Sequence, residues 1–173
     1  MKKIILISGK AGSGKDTFAE ELKEQLNMMN EYVLIVHYAD LVKHIAKTFY
    51  DWNGEKDEYG RGLLQRIGTD IFREYDKDYW VNHLQGVIGV LKDRWDYIII
   101  PDCRFPNEIT CWDKYNSISI RINRKFKSDL NEKQQHHASE TELDNFEFDV
   151  NFCFVDLEDM KNQVSDFIEE KII

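Results

Sequence analysis

Cysteine, proline and long apolar runs are all scarce in this chain of 173 residues, and each scarcity excludes a class of protein. The three cysteines, Cys103, Cys111 and Cys153, are odd in number and include no CxxC pair. They indicate neither a disulfide framework nor a zinc site, and they suit a reducing cytosol. Two prolines and nine glycines leave little material for flexible linkers. No apolar run approaches the ~18 residues of a membrane-spanning helix. Met1-Lys2-Lys3 followed by Ile4 to Ile7 has the outline of a secretion signal, but its apolar part is too short and Gly9-Lys10 ends it. A cytoplasmic protein is therefore expected. Basic residues are outnumbered too: 23 Lys+Arg against 32 Asp+Glu give a formal net charge of −9. That balance disfavours coating of nucleic acid or of an anionic membrane, but a local basic pocket still suits a small anionic ligand.

What the sequence does contain is a globular composition, 42% hydrophobic and 32% charged, at a length expected to form one domain over residues 1–173. Continuous β-branched runs at residues 3–8, 32–36, 97–100, 117–122 and 150–155 read as strands, the first and third as strands buried on both faces. Phe18, Leu22, Leu26 and Met29 recur at spacings of three and four, which predicts a helix over 15–29. Helices are also expected from Asp40, as cap, through residue 49, then over 63–75, 79–91 and 157–172, with 51–62 a mobile loop. Strands alternating with helices predict an α/β fold with a mainly parallel sheet, whose ligands bind beyond the carboxyl ends of the strands.

The strongest motif is Gly9-Lys10-Ala11-Gly12-Ser13-Gly14-Lys15, set between the first strand and the first helix. This is GxxxxGK in its required context. Its glycines let backbone N–H groups converge on phosphate oxygens, and the helix start adds partial positive charge there. Lys15 brings a full charge near the β- and γ-phosphates. The usual Ser or Thr after the lysine is replaced by Asp16, with Thr17 following. The hydroxyl that normally binds Mg²⁺ is thus absent. Asp16 is left either to hold the metal through water or to favour the helix N-terminus, and Thr17 is expected at the α-phosphate.

Three further groupings carry charge suited to phosphates. The apolar run over 97–100 ends in Pro101-Asp102, and an acid in that place organises Mg²⁺ in proteins with this loop. Arg104, two residues on, is suited to clamp a phosphate in bidentate fashion. In the helix over 63–75, Leu64, Ile67, Ile71 and Tyr75 are expected on the buried face and Arg66, Thr69, Asp70 and Arg73 on the other. Gly68 within that helix costs about 1 kcal/mol relative to Ala, which points to a close approach by ligand or backbone. Arg121, Arg124, Lys125 and Lys127 precede a polar stretch ending His136-His137-Ala138-Ser139-Glu140, expected as a lid over residues 123–145. Ser139-Glu140-Thr141-Glu142 also fits a helix capping box. The adjacent His136 and His137 make a poor metal pair.

At these residues the chain resembles the bacteriophage deoxynucleoside monophosphate kinases, within the P-loop kinase superfamily. The likeness is carried by the loop through Lys15-Asp16-Thr17, by Leu64-Gln65-Arg66-Ile67-Gly68-Thr69, by Asp78-Tyr79-Trp80-Val81, by Asp102-Cys103-Arg104-Phe105-Pro106-Asn107-Glu108 and by His137-Ala138-Ser139-Glu140. It implies a three-layer P-loop kinase fold with acceptor-binding helices near 41–92, ATP as phosphoryl donor, Mg²⁺ as cofactor and a (deoxy)nucleoside monophosphate as acceptor. By that resemblance the catalytic set is Lys15, Arg73, Arg104 and Asp102, with metal held by Asp16 and Asp102. Gly9, Ala11, Gly12, Ser13, Gly14, Lys15, Asp16, Thr17, Arg121, Arg124 and Asp156 would serve ATP. Asp40, Gln65, Arg66, Thr69, Arg73, Trp80, Arg104 and Glu140 would serve the acceptor. Two other readings stay open on sequence: a kinase of another phosphorylated metabolite, such as phosphomevalonate, and a non-catalytic nucleotide switch.

Overall fold

The structure, a computed structural model, describes residues 1–123 and 132–173. In chain order the elements are β1 (Lys3–Gly9), α1 (Lys15–Met28), β2 (Val33–Ile35), α2 (Ala39–Phe49), α3 (Glu58–Gln65), a π-helical segment (Arg66–Ile71) and α4 (Phe72–Tyr75). There follow α5 (Tyr79–Leu91) with a 3₁₀ turn (Lys92–Arg94), β3 (Tyr97–Cys103), α6 (Pro106–Thr110), β4 (Ser117–Ile122), α7 (Glu132–Gln135), α8 (Ala138–Thr141), β5 (Val150–Phe152) and α9 (Leu157–Phe167), which ends in a second π-helical segment (Ile168–Ile172). The strands form a single all-parallel sheet in the order β2-β3-β1-β4-β5. No helix among the described residues is long and apolar enough to cross a membrane.

The continuous apolar strands are explained by helices on both faces. Ile4 and Leu6 of β1 join Ile98 and Ile100 of β3 under α2, α3 and α5, through Val42, Ala46, Leu63, Leu84 and Ile88. Ile5, Ile7 and Ile99 face the other way, onto Phe18, Leu22 and Leu26 of α1 and Met160, Val164 and Phe167 of α9. A buried side chain of that size contributes about 1.5–3 kcal/mol, so these two layers carry most of the fold's stability.

Three departures from the sequence reading have local causes. β3 does not stop at Ile100 but runs to Cys103: Leu6 pairs with Ile100 and Ser8 with Cys103, so Pro101 and Asp102 together oppose Ile7. This bulge gives Pro101, which has no N–H, a place in an inner strand. The expected loop over 51–62 contains the start of α3, capped by Asp57, whose carboxylate accepts the Gly60 N–H at 2.7 Å. The π-helical segment shifts the face of everything after it. Ile67 is fully buried, whereas Ile71 is 37% and Tyr75 88% exposed. The inward positions become Phe72 and Arg73, because the wide turn carries one more residue than an α-turn.

Candidate active site

Glycines shape the loop between β1 and α1. Gly12 and Gly14 have φ of 76° and 89°, in the left-handed region that costs an L-residue roughly 1–2 kcal/mol. At Gly9 space is the constraint: a Cβ would lie 2.4 Å from Ser13 Oγ and 2.9 Å from the Ile122 carbonyl oxygen. The Ser13 N–H donates to the Lys10 carbonyl at 3.1 Å and closes the turn, while Ser13 Oγ is buried without a partner among the described residues. α1 begins directly after Gly14, so the unpaired N–H groups of its first turn belong to the loop. Asp16 and Thr17, in that turn, are exposed.

Lys15 is buried, yet no carboxylate pairs with its amine among the described residues. Burial, and next the charge of Arg104, push its pKa down to about 8, against the weaker pull of Asp16, Glu140 and Asp102. A buried cation beside a second, partly buried one forms a site that a multiply charged anion would stabilise.

At the end of β3, Asp102 accepts the Tyr38 N–H at 3.0 Å and the Ala39 N–H at 2.9 Å, one on each carboxylate oxygen. The start of α2 is thus capped from a neighbouring strand. Asp40, expected as that cap and as an acceptor contact, lies inside the first turn and faces outward to His37 (3.5 Å) and Lys43 (3.1 Å). Hydrogen bonding to His37 and then to Lys43 pulls its carboxyl down to about 2, and it does not line the cleft.

Arg104 spans the cleft. Its Nη1 lies 2.8 Å from Glu140 Oε1 and 3.2 Å from the Gly9 carbonyl. Glu140 in turn accepts the Ala11 N–H at 3.1 Å, and its carbonyl accepts the Lys10 amine. The helix bearing Glu140 is capped by the His137 ring, which accepts the Ser139 N–H at 3.2 Å, and not by Ser139 as the capping-box pattern suggested. Arg121 lies within β4 and reaches Ser8 Oγ (3.0 Å) and Asp144 (3.1 Å). Arg124, with Lys125 and Lys127, lies outside the described residues. Asp156 is the N-cap of α9, accepting the Asp159 N–H at 2.9 Å, and it does not line the cleft.

The far wall comes from α2, the π-helical segment and α5. A cavity of about 250 Å³ runs from Lys15, Asp102 and Arg104 to Val42, Leu64, Gln65, Thr69, Arg73 and Trp80. The Trp80 indole donates to the Gly68 carbonyl at 2.7 Å, so its ring is fixed as wall. A Cβ on Gly68 would meet Val42 at an ordinary 3.7 Å, so Gly68 is not a point of forced close approach to protein. Arg66 is exposed and outside the cavity. The change of helical face that brings Arg73 inward is the same one that defeated the α-helical stripe.

Sequence reasoning passed over the lining residues His37, Tyr38, Lys43 and Lys56, and gave no site role to Phe105, Glu108 and Ser139 although they stand in its motifs. For Glu108 a signal existed. It stands three residues after Phe105, the spacing at which an acid folds back on a helix start. Both the Arg104 and Phe105 N–H groups donate to its Oε2, at 2.6 and 3.1 Å. Lys56 carried no signal, since it falls in the stretch read as a loop.

A profile of deoxynucleotide monophosphate kinases matches residues 33–164. The chain belongs to the deoxynucleotide monophosphate kinase family. Among solved structures, the kinase is similar to the Mycobacterium tuberculosis APS kinase in complex with AMPPNP and APS, at 11% identity and TM-score 0.55, over 97% of this chain and 96% of that one. A Cys556Ala mutant of the same enzyme gives 12% identity and TM-score 0.51, over 98% of each chain. At such identity these likenesses bear on the fold alone: a parallel sheet between two helical layers. No curated protein sequence matches. Among the described residues of the kinase, no group of three or more His, Cys, Asp or Glu side chains is placed to hold a metal ion by itself.

Proposed function

We propose that this nucleotide kinase transfers the γ-phosphoryl group of ATP to the phosphate of a deoxynucleoside monophosphate, giving the diphosphate. One observation carries the reading: Lys15, buried and with no carboxylate partner among the described residues, stands beside Arg104 at the glycine loop, at one end of a cavity whose other end combines apolar wall from Val42, Leu64 and Trp80 with the polar Gln65, Thr69 and Arg73. That is a place for two phosphate groups next to a base.

In this reading the loop N–H groups from Gly9 to Asp16, with Lys15, hold the β- and γ-phosphates, and Thr17 serves the α-phosphate. Arg104 lies between donor and acceptor. Arg73 and Thr69 serve the acceptor phosphate, and Gln65 and Trp80 its nucleoside. The segments near 41–92 and 123–145 act as acceptor wall and lid of the single domain. Arg121, Arg124 and the neighbourhood of Asp156 belong to the donor side. A fold neighbour solved with AMPPNP supports ATP as donor.

Mg²⁺ fits the residues present. Asp102 faces the cavity, and each of its oxygens keeps a lone pair beyond the N–H it accepts. Asp16, exposed at the start of α1, lines the same cavity. Mg²⁺ commonly takes one or two carboxylates together with substrate phosphates and water, so an all-protein cage is unnecessary. When bound, it would neutralise charge on the phosphates.

An acceptor phosphate, with a second pKa of about 6, is already ionised near neutral pH, so no strong general base is required. The chemical need is compensation of charge as two anions approach, supplied by fixed cations and oriented donors. A panel of nucleoside monophosphates with Mg-ATP tests the reading. Diphosphate formation from at least one deoxynucleoside monophosphate is expected. Absence of transfer to every one of them, with transfer to another phosphorylated metabolite, would refute it.

A further inference from the structure

Glu108 is 3% exposed, yet it belongs to a helix of only five residues, α6, next to the cleft. Capping that helix requires one oxygen and one amide, the Phe105 N–H. Glu108 does more. Its Oε2 also accepts the Arg104 N–H, and its Oε1 pairs with Nη2 of Arg73, 35 residues away in the chain. We propose that Glu108 is the positioning residue of the phosphoryl cleft, a single carboxylate that sets both Arg73 and Arg104. The proposal rests on the kinase reading above.

The geometry around each arginine supports it. The Arg73 guanidinium lies over the Phe105 ring, 3.9 Å from its centroid. Its Nη1 donates to the Lys77 carbonyl at 2.9 Å and to Asn107 Oδ1 at 3.4 Å. Its Nε is buried with no acceptor among the described residues. The group is therefore held from two sides, by the Lys77 carbonyl and by α6 with its N-cap, with part of its donor set left over beside the cleft. With Arg104, Glu108 acts on the backbone: it fixes the amide at the turn after β3, from which the side chain crosses to Gly9 and Glu140. A purely structural cap would have no reason to join the two arginines of the cleft on one carboxylate.

Glu108→Gln is a demanding test, because an amide cannot accept from the guanidinium and from two backbone N–H groups at once. Its NH₂ must face donors on one side. With folding verified by a cooperative thermal transition and wild-type secondary structure, the variant is expected to lose about 10²-fold in kcat for transfer to the acceptor. Its affinity for an ATP analogue should change less than about threefold, since the loop and Lys15 are untouched. Exchange of the Arg104 and Phe105 amides should accelerate. Arg73→Lys is the second variant, and it keeps the charge and the ion pair. It too is expected to lose about 10²-fold, because an ammonium cannot reproduce the held guanidinium fork. Wild-type kcat in either variant overturns the proposal, and so does an ATP affinity that falls in step with kcat. Failure of the kinase reading is recognised separately, by wild-type protein that transfers to no monophosphate. In that event the same comparison is made on basal ATP hydrolysis, where an unchanged rate in Glu108→Gln again overturns the proposal and a loss supports it.

Discussion

Replacing Lys15 by methionine should make the empty protein more stable, although on the proposed reading it removes the residue that holds the nucleotide phosphates. An amine that ordinarily titrates at 10.5 is held at about 8 by burial and by Arg104. In its charged form that displacement destabilises the fold by roughly 3 kcal/mol, at about 1.4 kcal/mol per tenfold change in proton affinity. The unfolded chain binds the proton more tightly than the folded one. The penalty is therefore complete below pH 8, shrinks as pH rises, and vanishes past 10.5. Methionine keeps the length and apolar stem without the charge. For a domain of this size, the relief corresponds to a rise in thermal midpoint of about 6–12 °C at pH 7. By pH 10 the advantage should shrink to roughly 1 kcal/mol. Calorimetry of both proteins at the two pH values, with and without an ATP analogue, checks this. Saturating analogue at about 100 times its Kd should add about 2.7 kcal/mol to wild type and little to Lys15→Met. A variant less stable than wild type at pH 7, or an advantage that persists undiminished at pH 10, refutes the reasoning that Lys15 is a charge awaiting an anion.

Arg104→Gln is expected to slow transfer by about 10²–10³-fold, read in steady-state assays at saturating ATP; a loss below threefold removes Arg104 from the chemistry. Asp102→Asn should loosen the start of α2 and lower unfolding free energy by about 1–2 kcal/mol, with faster exchange of the Tyr38 and Ala39 amides. Unchanged exchange there would show that the cap is not Asp102. Gly60→Ala and Gly62→Ala in α3 form an internal control. A Cβ on Gly60 would lie 2.1 Å from the Glu55 carbonyl oxygen and 2.7 Å from Trp52 Nε1, whereas nothing lies within 4 Å of one on Gly62. Denaturant titration should show the first destabilised by at least about 2 kcal/mol and the second stabilised by about 0.5–1 kcal/mol.

Elements with a strong local cause were legible in the sequence. The alternation of β1 and β3 with helices follows from runs buried on both faces, and the glycine loop follows from its spacing between strand and helix. What was not legible depends on partners far away in the chain or on unusual turns. Asp40 has the residue type and position of a cap, yet the cap is Asp102, supplied by the bulge at Pro101. Arg66 and Arg73 share a stripe on an ideal α-helix, but the π-helical segment between them leaves Arg66 exposed and Arg73 buried. Periodicity at 3.6 residues per turn cannot anticipate such a segment, because its reward lies in tertiary contacts: Phe72 against Tyr79 and Trp80, and Arg73 against Glu108.

The charges of the cleft explain how an acidic protein accommodates anions without a broad basic surface. Arg73 faces Glu108, and Arg104 faces Glu140, each at ion-pair distance. Both arginines are thus already balanced, whereas Lys15 at the loop pairs with no carboxylate among the described residues. What the cleft presents is therefore mostly orientation: loop N–H groups, the start of α1, and guanidinium groups held by carboxylates at fixed angles. Preorganised donors of this kind need no rearrangement when charge develops in the transition state, whereas unpaired side chains free to swing would have to be ordered first. The carboxylates that seem to cancel the cations are what hold them still. Removing one should consequently slow the reaction although the cleft becomes more positive, the opposite of what a count of charges predicts.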